Sequence, residues 1–325
     1  MRFIVHGAGA IGGLVGGRLH AGGHDVVLIA RGEHAAAMRA RGLRIVDPEG
    51  EQTVVVPVVE RPDEITFAAG DIVLLSVKTQ DSADALRDLA LAAPASTPIV
   101  CAQNGVANED MALRAFDNVY AGNVNCPALF VEPGTVQAHS APVAGTIDLG
   151  RYPRGVDDTA LAIAAALSDA TFLAEARSDI MPWKYGKLRY NIANAVEALC
   201  GPQARRGPVA DRLRAEADAC YAAAGIEPLV EPADSPRRGV LVDLPVRGAD
   251  RVGGSTYQSL LRGTGATEVD YLNGEIARLG RLHGVPTPVN TVVQRLANRH
   301  ARDRVPPATL TDADILREAG VDADG

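Results

Sequence analysis

Residues 2–12 of this 325-residue chain constrain its fold more than any other stretch. They read as a strand, Arg2-Phe3-Ile4-Val5-His6, followed at once by the turn Gly7-Ala8-Gly9-Ala10-Ile11-Gly12. A G-x-G-x-x-G that closes a strand and opens a helix is built for a dinucleotide pyrophosphate. The first glycine permits the tight turn, the second lets backbone approach phosphate, and the third lets the helix pack on its strand. The free N–H groups at the helix start then face the anion.

With 33 glycines in the chain, the spacing alone would be weak evidence, but its context supports it. The following segment carries Ile11, Leu14, Val15 and Leu19 at helical spacing. Gly22-Gly23 stops it, and a second apolar strand, Val26–Ala30, follows. That is the β-α-β order the motif requires. The second strand ends in Arg31, 19 residues beyond Gly12. An NAD site usually has an acid there for the ribose hydroxyls, whereas an arginine pairs with a 2′-phosphate. The expected cofactor is therefore NADPH.

At this length two domains are expected. Hydrophobic residues make up 47% of the chain and charged residues 22%, enough to fill sizeable cores. The net charge of −8 argues against a general nucleic-acid binder. No apolar run approaches the roughly 20 residues of a membrane span, and the N-terminus lacks the basic region of a signal peptide. Cys101, Cys126, Cys200 and Cys220 form no C-x-x-C pair and share no ligand spacing with the seven histidines. Reduced thiols in a cytoplasmic protein, with no metal site, are the expectation.

Up to residue 177 strands and helices alternate, which predicts a Rossmann-type α/β domain with a parallel sheet over residues 1–177. Buried strands are expected at 71–77, 98–102 and 118–122. A hairpin should turn at Asp47-Pro48-Glu49-Gly50, and segments near 135–140 and 144–149 should add antiparallel to the sheet edge. On an open α/β sheet the ligand lies beyond the carboxyl ends of the strands. There the sequence places Gly7, Arg31, Lys78, Asn104 and the stretch Asn123–Ala128.

From residue 178 to 325 an all-α domain is expected, with a polar tail from about 303. Helical segments fall near 180–199, 208–224, 255–283 and 288–302, and Ile315 and Leu316 could dock a short further helix. Such a domain could supply a homodimer interface. On the first helix, Lys184, Lys187, Asn191 and Asn194 form a polar stripe beside apolar Leu188, Ile192, Ala195 and Leu199. A lysine and amides in that setting suit the wall of a cleft. They would equally suit the solvated side of any amphipathic helix. Glu268, at the start of another helical run, is open to the same two readings, as are the hydroxyls of Ser255 and Thr256.

Taken together, these residues resemble the ketopantoate reductases (2-dehydropantoate 2-reductases) over nearly the whole chain. The resemblance rests on Gly7–Gly12, Ser76-Val77-Lys78-Thr79, Gln103-Asn104-Gly105 and the helix with Lys187 and Asn191. Its most specific parts are Thr267-Glu268-Val269-Asp270-Tyr271-Leu272-Asn273-Gly274 and His283-Gly284-Val285-Pro286-Thr287-Pro288-Val289-Asn290. It implies NADPH-dependent reduction of a small 2-oxo acid, ketopantoate first among them, to the 2-hydroxy acid. Lys187 would be the general acid, and Glu268 would orient it and contact the ligands. Gly7, Ala8, Gly9, Ala10, Ile11, Gly12, Arg31, Lys78, Asn104 and Ala128, which lies 24 residues after Asn104, would hold the cofactor. Asn104, Lys187, Asn191, Asn194, Ser255 and Thr256 would hold the substrate.

The departures from the family pattern lie on the substrate side. Ala195 stands where the family has a second asparagine, with the amide one residue early at Asn194. Ser255-Thr256 replaces Ser-Ser, Leu260 replaces a frequent Asp, and Arg205 stands near an expected amide. Two alternatives follow: a paralogue reducing a different 2-oxo acid, and a protein that senses NADPH without catalysis.

Overall fold

The computed structural model describes residues 1–321. The chain divides into two compact units, Met1–Met181 with Glu231–Arg251, and Pro182–Val230 with Val252 onward. The sequence predicts a single crossing between residues 177 and 178. Instead the chain passes between units at 181/182 and makes an excursion over Glu231–Arg251, which packs with the first unit. The cause is polar anchoring. Arg237 reaches Asp148 and Glu175 at 2.6 Å each, and the Leu244 N–H donates to the His139 carbonyl at 2.7 Å.

The first unit contains β1 (Arg2–His6), α1 (Ala10–Ala21), β2 (Asp25–Ile29), α2 (Gly32–Arg41), β3 (Leu43–Asp47), β4 (Gly50–Val54), β5 (Val58–Val59), β6 (Asp71–Leu75), α3 (Ser82–Ala92), β7 (Ile99–Cys101) and α4 (Asn108–Leu113). It continues through β8 (Val119–Asn125), β9 (Ala128–Glu132), β10 (Thr135–Ala138), β11 (Gly145–Arg151), α5 (Asp158–Asp169) and β12 (Phe172–Leu173). Eight strands form the main sheet in the order β12-β11-β8-β7-β6-β1-β2-β5. From β5 to β8 every pairing is parallel, and β11 runs antiparallel to β8. The fully buried strand Asp71-Ile72-Val73-Leu74-Leu75 sits in its middle, as its unbroken apolar run requires.

The predicted hairpin is present, with Asp47 paired to Gly50, but it belongs to a second sheet, β4-β3-β10-β9. Of the two segments expected at the main sheet's edge, only β11 joins that sheet. β10 instead pairs parallel with β3. Helix α1 packs against both sheets, and its glycines explain how. A Cβ at Gly16 would lie 2.5 Å from Leu28 Cδ2 on the main sheet. One at Gly17 would lie 2.6 Å from Ile45 Cδ1 on the small sheet. Two adjacent glycines therefore clear both faces of one helix, and the backbone approaches each sheet closely.

The second unit is helical: α6 (Ile180–Asn191), whose first turn contains the 181/182 crossing, then α7 (Ala193–Cys200), α8 (Pro208–Ala224), α9 (Ser255–Leu261), α10 (Asn273–His283), α11 (Pro288–Arg302) and α12 (Asp312–Ala319). The predicted helices at 208–224 and 288–302 are present. The one expected at 255–283 is split, because Gly263 and Gly265 adopt positive φ (58° and 78°), which right-handed helix excludes. The helix expected at 180–199 breaks at Ile192. The fully buried Asn273 amide donates to the Ile192 carbonyl at 3.0 Å, and a side chain inserted into the ladder ends its regularity. Ile315 and Leu316 are buried on α12, whose Thr311–Asp314 capping box fixes its start. Among the described residues no helix is long and apolar enough to cross a membrane.

Candidate active site

In the first unit the carboxyl ends of β2, β1, β6 and β7 stand side by side, since Ile29, His6, Leu75 and Cys101 share one register. Arg31, the turn Gly7–Gly12, Lys78 and Asn104 follow those ends in the same order. The row spans three inter-strand gaps, about 14 Å. Ala128 lies apart from the main sheet, opening β9 of the small one, while Asn123 and Asn125 fall inside β8 rather than beyond it.

The glycine turn has the shape a pyrophosphate needs. Gly7 has φ of 103°, and a Cβ there would sit 2.6 Å from the Val77 nitrogen. A Cβ at Gly12 would collide with the Gly7 carbonyl and the Ser76 hydroxyl. By contrast, a Cβ at Gly9 would meet nothing within 4 Å. Gly9 is the N-cap of α1 and offers no side-chain cap, so the first-turn N–H groups around Ala10 and Ile11 lack the usual partner. The arrangement therefore fits a dinucleotide. Ser76 Oγ donates to the Gly7 carbonyl at 3.0 Å and ties the turn to β6.

Lys78 and Asn104 are set by one buried network. Gln103 Nε2 donates to the Val77 carbonyl at 2.9 Å and to Ser82 Oγ at 2.7 Å, and Ser82 Oγ donates to Asn108 Oδ1 at 2.8 Å. Asn108 Nδ2 donates to the Asn104 carbonyl at 3.1 Å. Two motifs far apart in sequence are thereby locked together through Ser82 and Asn108, which sequence reasoning did not single out.

In the second unit, Lys187 and Asn191 lie one turn apart on α6. Lys187 is half-buried, while Asn191 and the neighbouring Lys184 are buried. Gly186 lets chain pack against this helix: a Cβ there would collide with the Leu229 carbonyl, and the Leu229 N–H donates to Pro182 O at 3.0 Å. Glu268 is buried and precedes a single 3₁₀ turn, Val269–Tyr271, rather than opening an α-helix.

Asn194 is placed differently from the expected stripe. It lies beyond the break, on α7, and its Oδ1 accepts from Arg205 Nη1. The same nitrogen donates to Glu197 Oε2 at 2.9 Å, and that carboxylate accepts the Gly254 N–H at 3.1 Å. Gly254 immediately precedes Ser255 and Thr256, so the Arg205–Glu197 pair holds Asn194 and both hydroxyl residues together. Thr256 is buried, and Leu260 packs with Ala198, Ala301 and Tyr257 in an apolar cluster.

The two most specific sequence blocks meet in a second buried network. Asn273 Nδ2 donates to Asn290 Oδ1 at 3.0 Å, and Asn290 Nδ2 donates to Glu216 at 2.7 Å. Glu216 also accepts the Val289 and Asn290 N–H groups at 2.8 and 2.9 Å, and burial pushes its carboxyl above the ordinary range. These asparagines act on the backbone: they end α6 at Asn191 and fix the start of α11.

An open parallel sheet with a glycine turn at its centre, followed by a helical unit carrying a lysine, an asparagine and a buried glutamate, defines an oxidoreductase with an NAD(P)H-binding fold. Family models agree in both halves: "Ketopantoate reductase PanE/ApbA" matches residues 3–154 and its C-terminal counterpart matches residues 179–301. The chain belongs to the ketopantoate reductase family. It is 30% identical to the 2-dehydropantoate 2-reductase of Halobacterium salinarum, over 93% of this chain and 100% of that protein. The crystal structure of a PanE/ApbA family ketopantoate reductase from Ralstonia eutropha JMP134 superposes with a TM-score of 0.79 at 29% identity, covering 94% of this chain and 99% of that one. A D-mandelate dehydrogenase solved with NADH and anilino(oxo)acetate does so with a TM-score of 0.79 at 25% identity and the same coverages.

Proposed function

We propose that this protein uses NADPH to reduce a 2-oxo acid to the 2-hydroxy acid, with ketopantoate the first substrate to test. The observation that carries the reading is the row Arg31, Gly7–Gly12, Lys78, Asn104 along four adjacent strand ends, in a chain that belongs to this reductase family. The open space at Gly9 suits the pyrophosphate, and the Arg31 guanidinium suits a 2′-phosphate. Lys78, Asn104, Ala128 and Glu268 complete the cofactor contacts. When bound, the dinucleotide supplies a hydride to the substrate carbonyl carbon.

The chain's own residues handle the charge and the proton. As negative charge grows on the carbonyl oxygen, the Lys187 ammonium donates a hydrogen bond to it and then gives up the proton. Half-burial strengthens that interaction, while the Glu268 carboxylate orients the ammonium. The Asn191 and Asn194 amides and the Ser255 and Thr256 hydroxyls hold the polar groups of the acid. NADPH oxidation followed by absorbance against ketopantoate and a panel of other 2-oxo acids tests the reading, and no turnover with any of them would end it.

A second reading is that the preferred substrate is another 2-oxo acid. It is favoured by the commitment of Asn194 Oδ1 to Arg205 and by Leu260 packing into an apolar cluster. A much higher kcat/KM for another member of the panel would select it.

A further inference from the structure

The glycine turn is braced by a residue that belongs to neither the motif nor the main sheet. His34, on the first turn of α2, places Nε2 at 2.7 Å from the Ala8 carbonyl. Its Nδ1 accepts the backbone N–H of Gly134 at 2.9 Å. A backbone N–H can only donate, so Nδ1 is the acceptor, the proton sits on Nε2, and Nε2–H donates to Ala8. Gly134, with φ of 84°, lies in the two-residue turn between β9 and β10 of the small sheet. Phe130 on β9 meets the imidazole edge-on, with ring centroids 4.9 Å apart. Half-burial holds the imidazolium form down, which favours this neutral tautomer.

The consequence lies in one peptide unit. The Ala8 carbonyl and the Gly9 N–H belong to the same planar trans peptide and point in opposite directions. Fixing that carbonyl on His34 turns the Gly9 N–H the other way. Gly9 is also the residue of the turn beside which a Cβ would meet nothing within 4 Å.

We infer that His34 is a positioning residue for the cofactor pyrophosphate. Through Ala8 it sets the direction of the Gly9 N–H, and it makes the small sheet's Gly134 turn part of the dinucleotide site. This role rests on the dinucleotide reading above. It predicts a loss of cofactor affinity that leaves the chemical step intact.

The test is calorimetric titration with NADPH on the wild-type protein, His34→Phe and His34→Gln, alongside kcat at saturating NADPH and the urea unfolding midpoint. His34→Phe keeps a ring against Phe130 and deletes both hydrogen bonds. Its NADPH Kd should rise roughly tenfold, about what one hydrogen bond's net contribution amounts to, with kcat changed less than about twofold. His34→Gln can still donate an N–H to Ala8 and should recover most of the affinity. In the free wild-type protein, 15N NMR should find the His34 proton on Nε2. An unchanged Kd in His34→Phe, a fall of kcat in step with affinity, or a proton on Nδ1 would overturn the role while leaving the dinucleotide reading in place. A wild-type protein that binds no NADPH would remove both.

Discussion

At the end of β2 the Arg31 guanidinium has a partner on another element: its Nη2 lies 3.4 Å from Asp88 Oδ2 on α3. Both side chains are largely exposed, and such a pair is worth at most about 1 kcal/mol. A 2′-phosphate would therefore displace Asp88 from Arg31 readily, yet the carboxylate would remain nearby as a like charge. Arg31→Ala should raise the NADPH KM by roughly ten- to a hundredfold, the scale of a lost charge-assisted hydrogen bond, and change the NADH KM little. Asp88→Asn should lower the NADPH KM by about two- to fivefold, in line with relief of one screened repulsion. Steady-state kinetics with both cofactors checks the pair, and an Asp88→Asn enzyme whose cofactor preference is unchanged would show that the carboxylate has no part in it.

The glycines of the turn should separate folding from binding. Gly9→Ala places a methyl in open space at a φ of −70°, which alanine accepts, so stability should change by less than about 1 kcal/mol. The same methyl occupies space a phosphate needs, and the NADPH Kd should rise tenfold or more. Gly12→Ala drives its methyl into the Gly7 carbonyl and should cost about 1–3 kcal/mol of stability. Urea unfolding and calorimetric NADPH titration on both variants give the comparison.

Much of the first unit was legible because a parallel sheet and a glycine turn depend on local pattern, and period and φ are local properties. The row of strand-end residues was readable for the same reason. What stayed hidden involves pairs of residues far apart in sequence. The second sheet joins β3 to β10 by pairing Arg44 with Thr135, 91 positions later, which no local pattern encodes. The break at Ile192 depends on Asn273, 81 residues later. Asn194 shares helical spacing with Lys187, but its environment is set by Arg205 and Glu197. The packing of Glu231–Arg251 with the first unit was hidden too, because Arg237 reveals its role only beside Asp148 and Glu175.

Lys187 carries the most direct test of the chemistry. Lys187→Ala removes the ammonium proposed as proton donor but leaves the strand-end row untouched. Turnover should fall by roughly 10²–10⁴-fold while NADPH still binds. Single-turnover measurements should place the loss in the chemical step. Near-normal turnover in this variant would take Lys187 out of the reaction.

His6 should make stability depend on pH. It ends β1 directly before Gly7, is 3% exposed, and its Nδ1 is buried without a hydrogen-bond partner. Burial, assisted by the Arg31 charge and opposed by Asp88, pushes its pKa from the ordinary 6.5 down to about 4. The unfolded chain therefore binds a proton on His6 at a higher pH than the folded one does. Above pH 6.5 neither state carries that proton and the group has no effect. As pH falls from 6.5 toward 4 the unfolded state gains it first, and the fold loses about 3 kcal/mol over that window. His6→Leu cannot take up the proton. Its stability, measured by urea unfolding at closely spaced pH values, should fall less steeply than wild type between pH 6.5 and 4, with the two slopes converging above 7. Parallel curves across the whole range would mean that His6 is not buried neutral in the folded protein.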